Sequence, residues 1–392
     1  MRKIFFICFG FAALLFAAAC SHLDEPKEYI NVYLNLPGQD ETKAETPAET
    51  KAKENAIRDL KIWVFLSESA GKYAAGTPVG YLAPSSSDLN KSVHAIPIID
   101  KGLALVASKV DVYILANSKA TGLDDGGKCK TGGSTKDWGA LSVSDLNGLM
   151  LEGSAFGVTS GNQPTNERVV DTQGLPYSAY GKGMLLTDDY PDALSVAALT
   201  LVRTVSKIRV VVSQIQEESG NKPMNFKITG LKINENMIAS QEYLFNTTSP
   251  TTSYSISDAG YVANPLAFVS SDIDKSSING CLTPSKYTFG FVSGETTIDY
   301  QNRIDAGLSA NELSEMGCGF CYLRETDKRI EGTISYQIGT NPEQSQVFKI
   351  DAAGDFARNR SWIVYIYFFD DTMRFSVTGT DWTSGGKTNL TP

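Results

Sequence analysis

Apolar residues recur at every second position in many short segments of this chain, and this period is typical of β-strands with one buried face. Segment 29–36 shows the pattern first, and segment 60–66 repeats it. The apolar sets are Ile30, Val32, Leu34 and Leu36 in the first segment, and Leu60, Ile62, Val64 and Leu66 in the second. The chain is therefore constrained to a fold in which sheets bury one face of each strand.

Further strand-like segments follow at short spacing. We predict strands over 104–116, 199–215, 225–233, 243–245, 287–292, 319–324, 333–338, 347–350, 361–369 and 373–382. Segments 117–140 and 153–182, rich in Gly, Ser, Thr and Asn, are predicted to be loops. Segment 144–151 is predicted to be one short helix with Ser144 as its N-cap. Many strands with turn-rich connections indicate an all-β chain of antiparallel β-sandwiches.

The length suggests two domains of ordinary size. We predict an N-terminal β-sandwich over 20–205 and a C-terminal β-sandwich over 206–392, with strand 199–215 at the crossing between them. Residues 37–55 read PGQDETKAETPAETKAKEN and contain no large apolar side chain. Such a stretch cannot bury a core, so we predict a linker that leaves 29–36 as a detachable first strand.

The N-terminus has the organisation of an export signal. Residues 1–3 are Met-Arg-Lys, residues 4–16 are almost all apolar, and three alanines at 17–19 directly precede Cys20. This order predicts a secretory signal peptide over 1–19, and a cysteine at this place indicates a bacterial lipoprotein. Acyl chains on Cys20 would hold the mature chain at a membrane surface. A plain signal peptide followed by a chance cysteine is the alternative.

Charge and cysteine content exclude some classes of function. The formal net charge is −9 and the chain has no basic run, which argues against nucleic acid as a partner. The cysteines left after export and lipidation are Cys129, Cys281, Cys318 and Cys321. The spacing of Cys318 and Cys321 matches CxxC, but neither a redox context nor a second CxxC accompanies it. Structural thiols or a disulfide fit these cysteines better, and the sequence leaves their pairing open.

Catalytic patterns are scarce. The chain has two histidines, His22 and His94, and none of the common hydrolase, metalloprotease or nucleotide-binding motifs. His94 is expected to be a core or edge histidine. The acidic pairs Asp188-Asp189 and Asp370-Asp371 are expected to be solvated turn residues, and no calcium loop surrounds Asp124-Asp125. We therefore predict no enzyme activity, no cofactor and no metal site.

The tryptophans leave a choice between core packing and a sugar platform. They are Trp63, Trp138, Trp362 and Trp382. Three of them lie in or beside predicted strands, so core packing is the better interpretation. A surface glycan-binding lipoprotein is the main alternative function, and a lipoprotein hydrolase with two carboxylates in a cleft is a third.

Several segments together resemble the Bacteroidales fimbrillins, the subunits of type V pili. ENAIRDLKIWVFLSESAGK at 54–72 is similar to the start of their first domain, and VDVYILANS at 110–118 resembles a strand that ends in an alanine-asparagine turn. LVRTVSKIRVVV at 201–212 resembles their inter-domain strand. RNRSWIVYIYF at 358–368 and MRFSVTGTDW at 373–382 resemble their last strands.

This resemblance implies two transthyretin-like Greek-key sandwiches that are exported as a lipoprotein and surface-exposed on the outer membrane. It also implies that a protease cuts the loop after the first strand. A C-terminal strand from another pilin subunit would then fill the groove left by the first strand, whose groove-facing residues here are Ile30, Val32, Leu34 and Leu36. Other pilin subunits, the outer membrane and a host or bacterial surface ligand would be the partners.

Two departures weaken a stalk assignment, so that a tip or anchor subunit fits as well. Family stalk subunits are cut after an arginine in this loop, but residues 37–57 contain none, which leaves Lys43, Lys51, Lys53 and Arg58 as the candidate cleavage sites. Only residues 370–372 separate the strands at 361–369 and 373–382, a hairpin length that would keep the last strand in its own domain. The tail after Trp382 is polar and is a poor donor strand.

Overall fold

A computed structural model describes thirteen segments of the chain. They are residues 27–36, 52–101, 105–151, 173–189, 192–215, 226–246, 260–263, 266–267, 317–338, 340–350, 357–369, 372–381 and 387–390. Strands in five sheets dominate these segments, and most neighbouring strands pair antiparallel. The predicted all-β class is confirmed. No helix in the described segments is long and apolar enough to cross a membrane.

The strands are numbered in chain order. They are β1 (Tyr29–Asn35), β2 (Leu60–Leu66), β3 (Pro78–Leu82), β4 (Val93–Pro97), β5 (Lys109–Ala116), β6 (Asp124–Asp125), β7 (Lys128–Thr131), β8 (Ser134–Asp137), β9 (Tyr177–Leu185), β10 (Thr187–Asp189), β11 (Ala193–Thr200), β12 (Val202–Arg203), β13 (Ser206–Ile215), β14 (Phe226–Ile233), β15 (Leu266–Ala267), β16 (Gly317–Leu323), β17 (Ile330–Ile338), β18 (Gln344–Ile350), β19 (Arg360–Phe369), β20 (Thr372–Asp381) and β21 (Lys387–Leu390).

Contacts divide the chain into two compact units. The first unit contains Met1–Leu36, Lys61–Ile114 and Ala179–Thr200, and the second contains Pro37–Leu60, Leu115–Ser178 and Leu201–Pro392. This division assigns the linker and residues 115–178 to the second unit, although they precede residue 200 in the chain. The domain limits 20–205 and 206–392 remain predictions.

Most residues of two sheets belong to the first unit. One has the order β10-β11-β1-β4, and the other has the order β12-β9-β5-β2-β3. β2 was expected to alternate, but all seven of its residues are buried. Its second face carries Trp63, which packs at 5.6 Å from the ring of Tyr81, and Phe65, whose ring meets that of Tyr113 at 6.0 Å. This strand therefore contributes both of its faces to packing.

Close approach between strands of the two sheets depends on one glycine. Gly80 lies on β3, and a Cβ atom there would fall 2.7 Å from Cγ2 of Ile96 and 2.9 Å from the carbonyl oxygen of Pro97 on β4. Ile99 also donates its backbone N–H to the carbonyl of Val79 at 2.9 Å. β3 and β4 therefore touch closely, and a side chain at position 80 would push them apart.

The second unit contains sheets of order β16-β13-β19-β20-β21 and β15-β14-β17-β18. β20 pairs antiparallel with β19 from Phe369↔Thr372 to Arg360↔Asp381, so the hairpin predicted from the short connection is present. Four residues of the polar tail form β21, an edge strand that pairs with β20. That short strand was not predicted.

The predicted strand 199–215 is broken. β11 ends at Thr200, β12 covers two residues, and β13 begins at Ser206. Between the last two, Thr204 donates its N–H to the carbonyl of Pro176 at 2.9 Å, and Val205 accepts from Asn359 at 3.0 Å. The break occurs where the chain passes from the first unit to the second.

Segment 117–140 was wrongly predicted to be loop. It contains β6, β7 and β8 as a small antiparallel sheet, with 3-10 helices at Ser118–Thr121 and Trp138–Ala140. Glycine pairs at 126–127 and 132–133 supply the positive-φ turns between the strands. The turn residues that suggested loops are therefore the hairpin turns of an ordered insertion.

One α-helix, α1 (Val143–Asn147), follows this insertion, close to the predicted place. Its N-cap is Ser142 and not Ser144. The Ser142 hydroxyl accepts from the Asp145 N–H at 3.2 Å, and the Asp145 carboxylate accepts from the Ser142 N–H at 2.9 Å. This reciprocal capping box satisfies two backbone donors at the helix start, which explains why the helix begins earlier than predicted.

Candidate functional site at the first strand and the linker end

β1 lies inside its sheet and buries one face completely. Ile30 and Val32 are 0% exposed and Leu34 is 2% exposed, while Leu36 follows the strand and is half-buried. Burying three such side chains contributes roughly 4–9 kcal/mol of gross driving force. The apolar face is thus the main source of free energy that holds this strand in the first unit.

Both edges of β1 are hydrogen-bonded to neighbours. β1 runs parallel to β11 and antiparallel to β4, and the pairing with β11 shifts between Val32 and Leu34. The backbone contacts continue beyond the strand, since Glu28 donates to Asp192 and Leu34 to Ser92, both at 2.8 Å. Without β1, the edges of β11 and β4 that face it would lose these hydrogen-bond partners, and an apolar groove would open between them.

The outward face of β1 is polar and bonded to β10 and β11. Asn31 donates to the Asp189 carboxylate at 2.9 Å, and the Tyr33 hydroxyl donates to the same group at 3.3 Å. The charge of Asp189 raises the pKa of Tyr33. Asn35 donates to the Thr200 hydroxyl at 3.1 Å.

The acidic pair at 188–189 was predicted to lie at a solvated turn; the turn is wrong, whereas Asp188 is exposed to solvent as predicted. Both residues belong to β10, where Asp189 accepts from β1 and Asp188 binds the Lys27 ammonium at 2.5 Å. Sequence reasoning missed them because carboxylates at a strand edge look like turn residues without the partner strand. From this position, Asp189 holds the first strand by hydrogen bonds and Asp188 holds the preceding Lys27 by an ion pair.

His94 lies on β4 directly opposite Val32 and is 3% exposed, as predicted for a core histidine. Its Nε2 has no hydrogen-bond partner among the described residues. Burial lowers the pKa of His94 from its ordinary 6.5, against smaller raising effects of the Lys91 backbone and the Asp88 carboxylate. A charged imidazole is therefore disfavoured beside the first strand.

The last residues of the predicted linker are ordered and belong to the second unit. Residues 52–54 form a helical turn, and Glu54 is 1% exposed. Its carboxylate Oε1 accepts from the Lys207 ammonium at 2.5 Å and from the Tyr322 hydroxyl at 2.6 Å, and its backbone carbonyl accepts from the Tyr177 hydroxyl at 2.5 Å. Asn55 accepts from the guanidinium of Arg203.

The candidate cleavage residues differ in their surroundings. Lys53 is half-buried, and Arg58 is exposed at its side chain but donates its backbone N–H to Asn117 at 2.7 Å. Lys43, Lys51 and the predicted lipidation site Cys20 lie outside the described residues. Of the cysteines, Cys129 is buried outside any disulfide and its thiol donates to the carbonyl of Lys130 at 3.5 Å, Cys318 and Cys321 lie on β16, and Cys281 lies outside the described residues.

The buried carboxylates of Glu242 and Glu325 belong to an ion-pair network. Glu242 and Glu325 are 0% exposed and share the Arg358 guanidinium at 3.1 Å and 3.0 Å. Burial raises the pKa of Glu242, and the nearby Glu325 adds to this rise. Arg358 also donates to the carbonyls of Tyr243 and Leu244 at 2.6 Å and 2.8 Å. This closed network stabilises the second unit.

Three tryptophans are core residues, as predicted. Trp63, Trp138 and Trp362 are 1%, 4% and 1% exposed, and Trp382 lies outside the described residues. Asp124, which no calcium loop surrounds in the sequence, accepts from the Trp138 indole at 3.3 Å. Within the described segments no three His, Cys, Asp or Glu side chains are grouped to hold a metal ion.

A cavity of about 950 Å³ lies between the β7–β8 hairpin and residues 148–151. Its walls include Lys130, Thr131, Ser134, Lys136 and Gln241. Lys136 is bound to Asp145 at 2.6 Å, and Lys130 donates to the carbonyl of Gly122 at 3.1 Å. No aromatic ring among the described residues lines this cavity, so it lacks the stacking surface that many sugar sites use.

Comparisons with known proteins give structural matches only. No protein-family model and no curated protein matches the chain. The chain is similar to a fimbrilin from Porphyromonas gingivalis, with 10% identity and a TM-score of 0.46 over 92% of this chain and 99% of that one. It is similar to the tip fimbrial protein Mfa3 of the same organism, solved with a C-terminal truncation, with 12% identity and a TM-score of 0.45 over 90% and 100% of the two chains.

A fimbrial assembly protein from Parabacteroides distasonis is also similar, with 12% identity and a TM-score of 0.46 over 93% of this chain and 99% of that one. All three of these solved structures are fimbrial proteins.

Proposed function

We propose that this protein is a non-enzymatic subunit of a cell-surface fimbria, which is exported as a lipoprotein and assembles by strand exchange. The observation on which the proposal rests is the position of β1. An interior strand with three buried apolar side chains is followed at once by a stretch of linker composition at 37–55. Cutting that stretch would free a strand that is integral to the sheet.

The physical basis of assembly is the groove that departure of β1 would open. An incoming apolar strand would restore the hydrogen bonds to β11 and β4 and would fill the sites of Ile30, Val32 and Leu34. Another pilin subunit is the proposed source of that strand. Because β20 and β21 pair within their own sheet, we favour a tip or anchor subunit, which accepts a donor strand better than it supplies one.

Lipidation of Cys20 is the proposed route to the outer membrane surface. It would anchor the chain only through residues N-terminal to the linker, so a cut within 37–55 would release the body from its lipid together with β1. Cys20→Ser should abolish lipid labelling and misroute the protein. Normal membrane fractionation of that variant would contradict the proposal.

A defined in-trans exchange tests the strand mechanism. A specific protease site placed at 40–46 would be cut in the purified protein, and a labelled peptide copying residues 27–36 would be added. We expect the peptide to bind the cut protein and not the uncut protein. The matched control peptide replaces Val32 and Leu34 by Asp and should not bind, since buried carboxylates without partners are costly. Equal binding of both peptides would refute the groove.

A further inference from the structure

After a cut in the linker, the part of the chain that follows the cut would begin at the buried polar network around Glu54. This network restricts where the linker can be cut. Glu54 lies in the helical turn at the linker end, and side chains from three strands hold it. Lys207 comes from β13, Tyr322 from β16 and Tyr177 from β9, at donor–acceptor distances of 2.5, 2.6 and 2.5 Å. The exposed fractions of Glu54 and Lys207 are 1% and 2%.

The chemistry of the network makes it intolerant of loss. Glu54 supplies the carboxylate that faces the buried Lys207 ammonium, and the Tyr322 hydroxyl donates to the same oxygen. Burial raises the pKa of Tyr322, and the neighbouring Glu54 charge adds to this rise, so the phenol stays a donor. Removing one partner of a buried pair leaves an uncompensated charge, which is strongly destabilising.

A cut at either downstream candidate would disturb this network. Hydrolysis adds one water across a peptide bond and leaves a new carboxylate and a new ammonium. After Lys53, the new ammonium would be the nitrogen of Glu54, on a buried residue that already faces a lysine. After Arg58, the segment containing Glu54 would be severed from the body, and the Lys207 ammonium would lose its covalently held partner.

We infer that Glu54 sets the downstream limit of processing: the cut that frees β1 falls before Lys53, and the mature body begins with a segment that keeps Glu54 bound to Lys207 and Tyr322. Lys53 and Arg58 are thereby excluded among the candidate sites. The inference rests on the proposed function, because it assumes that the linker is processed. It assigns residues 54–55 to the body as its anchored N-terminal segment.

Limited trypsin digestion of the folded full-length protein tests this limit, with intact-mass and N-terminal sequence analysis of the core. We expect new N-termini after Lys43 or Lys51, and cutting after Lys53 or Arg58 slower by about tenfold or more, because a bond in an ordered segment is cleaved only when that segment opens. Equally fast cutting after Lys53 or Arg58 in the wild type would overturn the inference and leave strand release intact. No cutting anywhere within 37–58 would instead count against the proposed function.

Variants then separate the network from general stability. Glu54→Gln should accelerate cutting after Lys53 and Arg58 by about tenfold, since these bonds are reached only through local opening. Glu331→Gln is the matched control, because its carboxylate binds Lys349 at 2.9 Å in a pair that is half exposed at Lys349. If Glu54→Gln fails to fold, Tyr322→Phe removes one hydrogen bond and should give a smaller acceleration at the same two sites. Unchanged protection in a folded Glu54→Gln variant would overturn the inference.

Discussion

β1 and β13 occupy the same kind of position in their two sheets but are held differently. β1 lies between a parallel neighbour, β11, and an antiparallel one, β4. β13 likewise lies between the parallel β19 and the antiparallel β16. Parallel partners far apart in sequence thus bring both strands into the middle of a sheet.

The difference lies in the polar contacts. Those of β1 are at the solvent face, where Tyr33 is 37% exposed and shares Asp189 with Asn31. Those of β13 are buried, since Lys207 binds Glu54 and the Ser206 hydroxyl donates to the carbonyl of Ala357. An alternating apolar strand could replace β1, whereas a replacement for β13 would need a lysine at one position. We infer that only the first position is suited to exchange.

The largest effect is expected from charges placed under β1. The double variant Val32→Asp/Leu34→Asp puts two carboxylates in sites that are 0% and 2% exposed, and should remove roughly 5 kcal/mol or more from the stability of the seated strand. The strand should leave, and bonds within residues 29–36 should become protease-sensitive. Tyr29→Thr/Tyr33→Thr changes the exposed face of the same strand and should cost far less. A protease-resistant double-Asp variant would show that β1 is not part of the core.

A smaller loss is expected from the buried pair beside β13. Lys207→Met leaves the Glu54 carboxylate with the Tyr322 hydroxyl as its remaining partner in this network, and should destabilise the second unit by about 3–5 kcal/mol. Urea denaturation followed by fluorescence measures this change. Lys349→Met alters an exposed pair and should cost about 1 kcal/mol or less. If the two variants were equally stable, the contrast drawn between the strands would be wrong.

Acidification should selectively weaken the packing of β1 against its neighbouring strands. Because burial lowers the pKa of His94 in the folded state, the stabilising neutral form is fully present above about pH 6.5 and is lost as the pH falls toward the lowered folded pKa. The Asp88 carboxylate and Lys91 act on the same imidazole. Thermal unfolding of the first unit between pH 7.5 and 5 should show this loss, and His94→Leu should flatten it. A pH slope that survives in His94→Leu would assign the effect to other groups.

The smallest effect is expected from the hydrogen bonds on the outward face of β1. Asp189→Ala removes the acceptor shared by Asn31 and Tyr33 at a partly buried site, and should cost about 1 kcal/mol. In the peptide exchange assay it should raise the off-rate of the 27–36 peptide modestly, and added salt should reduce the difference. An effect as large as that of the double-Asp variant would mean that the polar face, and not the apolar face, holds the strand.

Local periodicity made part of the fold predictable. The segment 29–36 was assigned as a strand from its alternation, and β14, β17, β19 and β20 lie within a few residues of their predicted limits. Such strands can be predicted because successive side chains point to opposite faces of a sheet, so a half-buried strand alternates apolar and polar residues. Core positions for Trp63, Trp362 and His94 are likewise expected from their strand context, whereas Trp138 lies in a segment predicted to be loop.

Other features required partners distant in sequence. The break at Thr204 depends on Pro176 and Asn359, and the role of Asp189 depends on β1, which lies about 160 residues earlier in the chain. The buried position of Glu54 was hidden because its charged sequence context is that of a linker.

What the sequence determined by itself is the all-β class, the alternating first strand and the linker composition that follows it, since each depends on neighbouring residues alone. The tertiary structure decided that β1 is an interior strand, that β10 and β11 supply the side chains that accept hydrogen bonds from its outward face, and that the linker ends at Glu54. These depend on contacts across 150 residues or more, such as the one from Lys207 to Glu54 at a sequence separation of 153. A buried charge is tolerated only when folding has placed an opposite charge beside it.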